Sequence, residues 1–171
     1  MKVLGIDNGL DGALVVIEEG SFSRRAVISR RIVMPVITGS KDAKREYDVP
    51  AVVRLISMFQ PDHAYVERAQ SMPKQGVSST FSIGYGFGLM VGILTSLKVP
   101  YTIVHPRTWQ KVMLRDVKKT DTKKAAAVVC RRLWPEIDWR KSVRARTNHD
   151  GLCDAALIGM FGWRELNGKE P

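Results

Sequence analysis

A chain of 171 residues, 44% of them hydrophobic, can bury one sizeable core and is too apolar to be an unfolded polyelectrolyte. Lysine and arginine outnumber aspartate and glutamate by 27 to 17, a net charge of +10 that points to a polyanionic partner. Cys130 and Cys153 follow no CxxC or metal-ligand spacing; this excludes a disulfide framework or zinc module and makes both reduced core residues.

Met1 leads almost directly into a strand, which predicts no signal or transit peptide and a cytoplasmic protein. Residues 3–8 are apolar and β-capable, and Gly9, Asp11 and Gly12 turn them into a second strand over 13–18, making a hairpin. A third strand is expected within 26–34, then a charged loop over 39–48. Val52, Val53, Leu55, Ile56 and Phe59 recur at helical spacing within 49–59, ahead of Pro61. Residues 62–67 read as a short buried strand, and 69–79, rich in Gly, Ser, Lys and Gln, as a mobile loop. The long helix over 80–97 carries Gly84, Gly86, Gly88 and Gly92, unfavourable in a helix unless they permit close packing on another helix or across a dimer twofold. Its interrupting glycines, serines and threonines predict a packed helix and no membrane span.

A strand at 101–104 and a helix at 106–114 opened by Pro106 follow. Next come a helix at 122–133, capped by Thr120 or Asp121 and stopped by Pro135, and a last helix at about 149–165. Three opening strands, then alternating helices and strands, predict an α/β fold with a mixed sheet, a single domain over 1–171.

Four acids stand out against the basic background. Asp7 ends the first strand and Glu67 ends the strand at 62–67, so each reaches the sheet rim. Asp150 and Asp154, four apart, share one helix face. Each has an ordinary reading: Asp7 as a turn residue, Glu67 as a solvated strand end, Asp150 as helix-dipole complement. Asp154 lies among Leu152, Cys153, Ala155, Ala156, Leu157 and Ile158, and a carboxylate in so apolar a setting needs a partner. Acids on three separate elements of a basic chain form a pattern suited to a divalent metal that works on phosphate.

Lys111, Lys118, Lys119, Lys123 and Lys124 make one basic cluster, and Arg140, Lys141, Arg144 and Arg146 another just before the acidic helix. Both are solvated faces or phosphate contacts that flank the acids. Met72, Lys74 and Gln75, in the loop after Glu67, are placed to touch bases. Phe81 and Tyr85 read as core, dimer contacts or base-stackers; Trp109, Trp134, Trp139 and Trp163 as packing residues; His63 and His105 as structural.

The ordered set GIDNG, YVER, GYGFG, HPRTWQK, DTKKAA and NHDGLCDAALIG resembles the RuvC-like Holliday junction resolvases of the ribonuclease H-like superfamily, in a bacteriophage or bacterial form. The resemblance covers nearly the whole chain and implies a five-stranded mixed sheet flanked by helices. It also implies a homodimer that nicks opposed strands of a four-way DNA junction in the cytoplasm of a bacterium or an infected host, in recombination or repair. Asp7, Glu67 and Asp154 would be catalytic metal ligands. In the bacterial branch an acid or histidine precedes the last aspartate by three residues, where this chain has Gly151; Asp150 takes the role, with His149 as the substitute. Two Mg²⁺ ions about 4 Å apart, with Mn²⁺ as a substitute, would flank the scissile phosphate and leave 5′-phosphate and 3′-hydroxyl ends. No small-molecule cofactor is implied.

Other readings differ in class. Sugar kinases and actin-like ATPases share the opening hairpin but need two such domains. A catalytically silent junction binder would gain nothing from an acidic cluster that repels DNA. A ribonuclease H acting on hybrids, or a broader branched-DNA or flap endonuclease, is the nearest alternative.

Overall fold

The computed structural model describes residues 1–21, 25–38, 45–70, 75–117 and 121–168. In chain order the elements are β1 (Lys2–Asp7), β2 (Ala13–Glu19), β3 (Ala26–Val33), β4 (Val36–Ile37), β5 (Glu46–Tyr47), α1 (Val49–Phe59), β6 (His63–Glu67), α2 (Val77–Ser96), β7 (Tyr101–Val104), α3 (Pro106–Met113), α4 (Thr122–Leu133) and α5 (Asp150–Leu166). The main sheet has the order β3-β2-β1-β6-β7. β1, β2 and β3 form an antiparallel meander, whereas β6 lies parallel to β1 and β7 parallel to β6. This is the mixed five-stranded α/β sheet, flanked by helices, that the resemblance implies.

Alternation along the strands sorts the core onto two faces. Val3, Val15, Ile17 and Tyr65 face α3, α4 and α5, together with Trp109, Cys130, Trp134 and Leu157. Leu4, Ile6, Leu14, Val16, Ala64 and Val66 face α1 and α2, together with Val52, Ile56, Met90 and Leu94. Both cysteines are free and buried, with the Cys130 thiol against the Cys153 carbonyl at 3.5 Å.

Local chemistry sets the helix ends. Asp48 accepts from the Ala51 amide at 3.0 Å to start α1, and Gln60, at φ 49°, ends it. Asp121, one of the two expected caps, accepts from the Lys123 amide at 3.0 Å to start α4; Thr120 lies outside the described residues.

Two expectations need correction. The loop expected over 39–48 ends in β5, which pairs Tyr47 with Val36 because the Tyr47 side chain is buried and its hydroxyl donates to the Asn8 carbonyl at 2.8 Å. The long helix is packed on one side only. Gly86, Met90, Ile93 and Leu94 are buried, while Val77, Phe81, Gly84, Tyr85, Gly88 and Gly92 make an exposed stripe. By length and composition α2 could cross a membrane, the one such helix among the described residues.

Candidate active site

The acids converge because of register. Ile6 pairs with Val66, so Asp7 and Glu67 are the next residues on adjacent parallel strands, side by side and on the same face of the sheet. That face is the one α5 covers.

The approach of α5 is set by small residues. A Cβ on Gly5 would collide with the Ala155 carbonyl and lie 2.7 Å from the Gly159 Cα. A Cβ on Gly162 would enter the Tyr65 ring. With no side chain between helix and sheet, α5 lies directly on β1, and Asp154 is carried to the ends of β1 and β6. Gly151 is fixed in the same way, since its Cβ would collide with the Asp11 carbonyl and Gly12. No side chain fits where the bacterial branch places its acid or histidine, and Asp150 on the next position is the acid at the cleft edge.

The cleft is lined by Asp7, Gly9, Leu10, Asp11, Gly12, Lys123, Asn148, His149, Asp150, Gly151 and Asp154, and has a volume near 540 Å³. Burial pushes Asp154 up to about 8, helped by the charges of Asp7, Glu67 and Asp150. Burial likewise pushes Glu67 up to about 7, with Asp7 adding to the rise and the Trp109 hydrogen bond opposing it. Asp7 is raised by burial against a hydrogen bond from the Gly9 amide, and the charges of Asp11 and Asp150 raise it further. The acids therefore destabilise one another as anions.

Asp150 sits at the mouth with its carboxylate 2.9 Å from the Lys123 ammonium. His149 caps α5, its Nδ1 accepting from the Leu152 amide at 3.3 Å. That role puts the ring proton on Nε2, so the imidazole presents a donor to the cleft and Asp150 suits a cation better.

Among the described residues no group of three or more His, Cys, Asp or Glu side chains is drawn close enough to hold a metal ion as it stands. The donor set nevertheless fits one. Desolvated carboxylate oxygens that raise each other's proton affinity are hard ligands short of positive charge, the chemistry that Mg²⁺ and Mn²⁺ take. Lys123 supplies part of that charge, lowering both Asp7 and Asp154.

The supporting contacts of three residues were not visible in the sequence. The Trp109 indole N–H donates to Glu67 Oε1 at 2.8 Å, so this buried tryptophan holds the carboxylate in place. Asn8 Nδ2 donates to the Glu67 carbonyl at 2.7 Å and ties the ends of β1 and β6 together. Asp11 is paired with Arg45 through two contacts, at 2.7 and 2.9 Å, at the cleft rim. The Asn8 and HPRTWQK positions were in view as motif members; their bonds join residues far apart in sequence.

The basic residues fall into three groups. Lys111, Lys141, Arg144 and Arg146 are exposed. Lys123 and Arg140 are engaged, the first with Asp150 and the second with Asp138 at 2.8 Å. Lys118 and Lys119, with Met72 and Lys74, lie outside the described residues. Gln75 donates to the Ser79 hydroxyl at 2.9 Å. Phe81 and Tyr85 are exposed, with no place in the core, and stack on each other with centroids 6.3 Å apart.

Solved structures with this architecture include Thermus thermophilus RuvC in complex with a Holliday junction substrate, at 18% identity and a TM-score of 0.65 over 98% of this chain and 97% of that one. The fold is that of the RuvC-type, ribonuclease H-like resolvases. Fowlpox virus resolvase bound to Holliday junction DNA matches at 13% identity and a TM-score of 0.56, over 97% of this chain and 99% of that one. The yeast mitochondrial Holliday junction resolvase Ydc2 matches at 16% identity and a TM-score of 0.61, over 97% of this chain and 78% of that one. No protein-family model matches the chain, and no curated protein matches it.

Proposed function

We propose that this chain is a metal-dependent endonuclease that resolves four-way DNA junctions, acting as a homodimer that nicks two opposed strands. The observation that carries this reading is the trio Asp7, Glu67 and Asp154, half-buried and each raised by desolvation, at one rim of a basic protein with the RuvC-type fold. Two of the neighbours with that fold were solved on Holliday junction DNA.

Asp7, Glu67 and Asp154, with Asp150 at the outer edge, would hold Mg²⁺. When bound, the metal supplies an activated water and stabilises the leaving 3′ oxygen. The chain's own residues do the rest. Trp109 keeps one Glu67 oxygen in place, leaving the other without that bond. Lys123 holds Asp150 in the free protein and lines the cleft, where it would meet an arriving phosphate. Lys111, Lys141, Arg144 and Arg146 attract the DNA backbone without reading sequence.

The homodimer is supported by the exposed stripe on α2. Gly84, Gly88 and Gly92 recur every four residues with none of the described residues within 4 Å of a Cβ, so a second copy of the helix could approach closely.

The test is cleavage of a labelled, partly mobile four-way junction with Mg²⁺, beside a linear duplex and an RNA–DNA hybrid. Paired symmetric nicks confined to the junction are expected. Cleavage of the hybrid alone would make this a ribonuclease H, and tight junction binding with no cut would make it a structural binder.

A further inference from the structure

Between α4 and α5 the chain runs through a loop that the acidic site does not use. Its base is pinned at several points. Trp139 is buried and tilted against Trp134, with ring centroids 5.9 Å apart. The His149 amide donates to the Trp139 carbonyl at 2.7 Å, and Arg140 pairs with Asn148 as an antiparallel bridge. Asp138 accepts from the Arg140 amide at 3.1 Å and from its guanidinium at 2.9 and 2.8 Å. Arg140 Nη1 then donates to the Val143 carbonyl at 3.4 Å, and the Ala145 amide closes a turn on Ser142 at 3.0 Å. Residues 141–147 therefore stand out from the surface on a fixed base, not as a slack connection.

The apex is apolar. Val143 is 82% exposed, and Lys141, Arg144 and Arg146 around it are exposed with no ion pair among the described residues. The loop also leans on the cleft. Asn148 and His149 line it, and the charge of Lys141 reaches both His149 and Asp11.

Resting on the junction reading above, we propose that residues 138–149 form a rigid prong whose apex, Val143, enters the branch point of the bound DNA and holds unstacked bases apart beside the scissile phosphate. A stacked duplex offers such a tip little apolar surface, whereas a branch point exposes base faces at the crossover. Apolar wedges flanked by cations open base steps in this way. The cations hold the flanking phosphates, and Arg140 acts through its Asp138 pair as the positioning residue of the tip.

The experiment places 2-aminopurine at the crossover of a junction in metal-free buffer, and measures junction cleavage with Mg²⁺ and duplex affinity in parallel. The parent protein should brighten the probe on binding. Val143→Ser should lose most of that rise and cut the junction about tenfold more slowly, the scale of one lost apolar contact, with duplex affinity unchanged. Val143→Met should behave as the parent. Val143→Ser matching the parent in both readouts would overturn the proposal. An equal loss on duplex and junction would also overturn it, leaving only a phosphate-binding loop. If the parent itself neither prefers nor cuts the junction, the junction reading has failed and the prong fails with it.

Discussion

The glycines of α5 and those of α2 occupy opposite surroundings. At Gly151 and Gly162 a Cβ would run into the sheet or its turns, and at Gly159 it would press on Ile17 and Gly5, whereas at Gly84, Gly88 and Gly92 it would meet none of the described residues within 4 Å. The first set has its reason inside the chain: it lets α5 touch β1 and delivers Asp154 to Asp7 and Glu67. Among the described residues nothing accounts for the second set, and the proposed second copy of α2 supplies a reason. The same residue type can thus mark an internal seam or an external one.

The largest expected effect comes from the charge that the α5 seam brings together. Asp7→Asn should lower junction cleavage by about a thousandfold, the scale of losing a group that binds the transition state. The same variant should raise the melting temperature of the metal-free protein, because it removes a desolvated carboxylate whose charge disfavours ionised Glu67 and Asp154. A lower melting temperature would show that the cluster is not strained as described.

The seams themselves can be separated by one pair of variants. Gly159→Val should destabilise the protein by about 3 kcal/mol, since backbone and Ile17 already fill that space. Gly88→Leu should leave each chain as stable or up to about 1 kcal/mol more stable through helix propensity, and yield a monomer by light scattering. A Gly88→Leu dimer would remove α2 as the interface.

Trp109→Phe tests how far the site depends on its support. Loss of the hydrogen bond to Glu67 should slow cleavage by about 10- to 100-fold, as losing a group that orients a metal ligand does. Measured by denaturant melts, stability should change far less than in Gly159→Val.

The same carboxylates should also show in pH. Glu67 and Asp154 take up protons more readily in the folded chain than unfolded, at about 7 and about 8. Their protonated forms are favoured by folding, so stability from these groups is greatest below pH 4 and falls as pH rises through 8. Between pH 5 and 8 the metal-free protein should lose melting temperature, by about 2–4 °C per kcal/mol. Mg²⁺ should restore it at pH 8 and do little at pH 5.

Much of the fold was legible. The strand and helix over 101–104 and 122–133 match their expected bounds, because Pro100, Pro135 and the Asp121 cap punctuate them. Asp7, Glu67 and Asp154 were legible as acids at element ends, and the register brings the first two together. What escaped depends on contacts between distant residues. The Trp109–Glu67 bond spans 42 positions and needs α3 turned toward β6. The surroundings of Phe81 and Tyr85 were left open because α2 is apolar on most of its circumference, and periodicity then cannot say which side is covered. Gly151 looked like a departure from a ligand pattern until its contact with the Asp11–Gly12 turn gave the cause.

The most direct test of the acidic site is titration of the metal-free protein with Mg²⁺ by calorimetry at pH 7 in buffers of different ionisation enthalpy. Carboxylates that hold protons near pH 7 must release them to a cation. The account predicts saturable binding with a heat that varies with the buffer, abolished or greatly weakened in Asp154→Asn. Saturable binding with no proton release, or binding unchanged in Asp154→Asn, would contradict it.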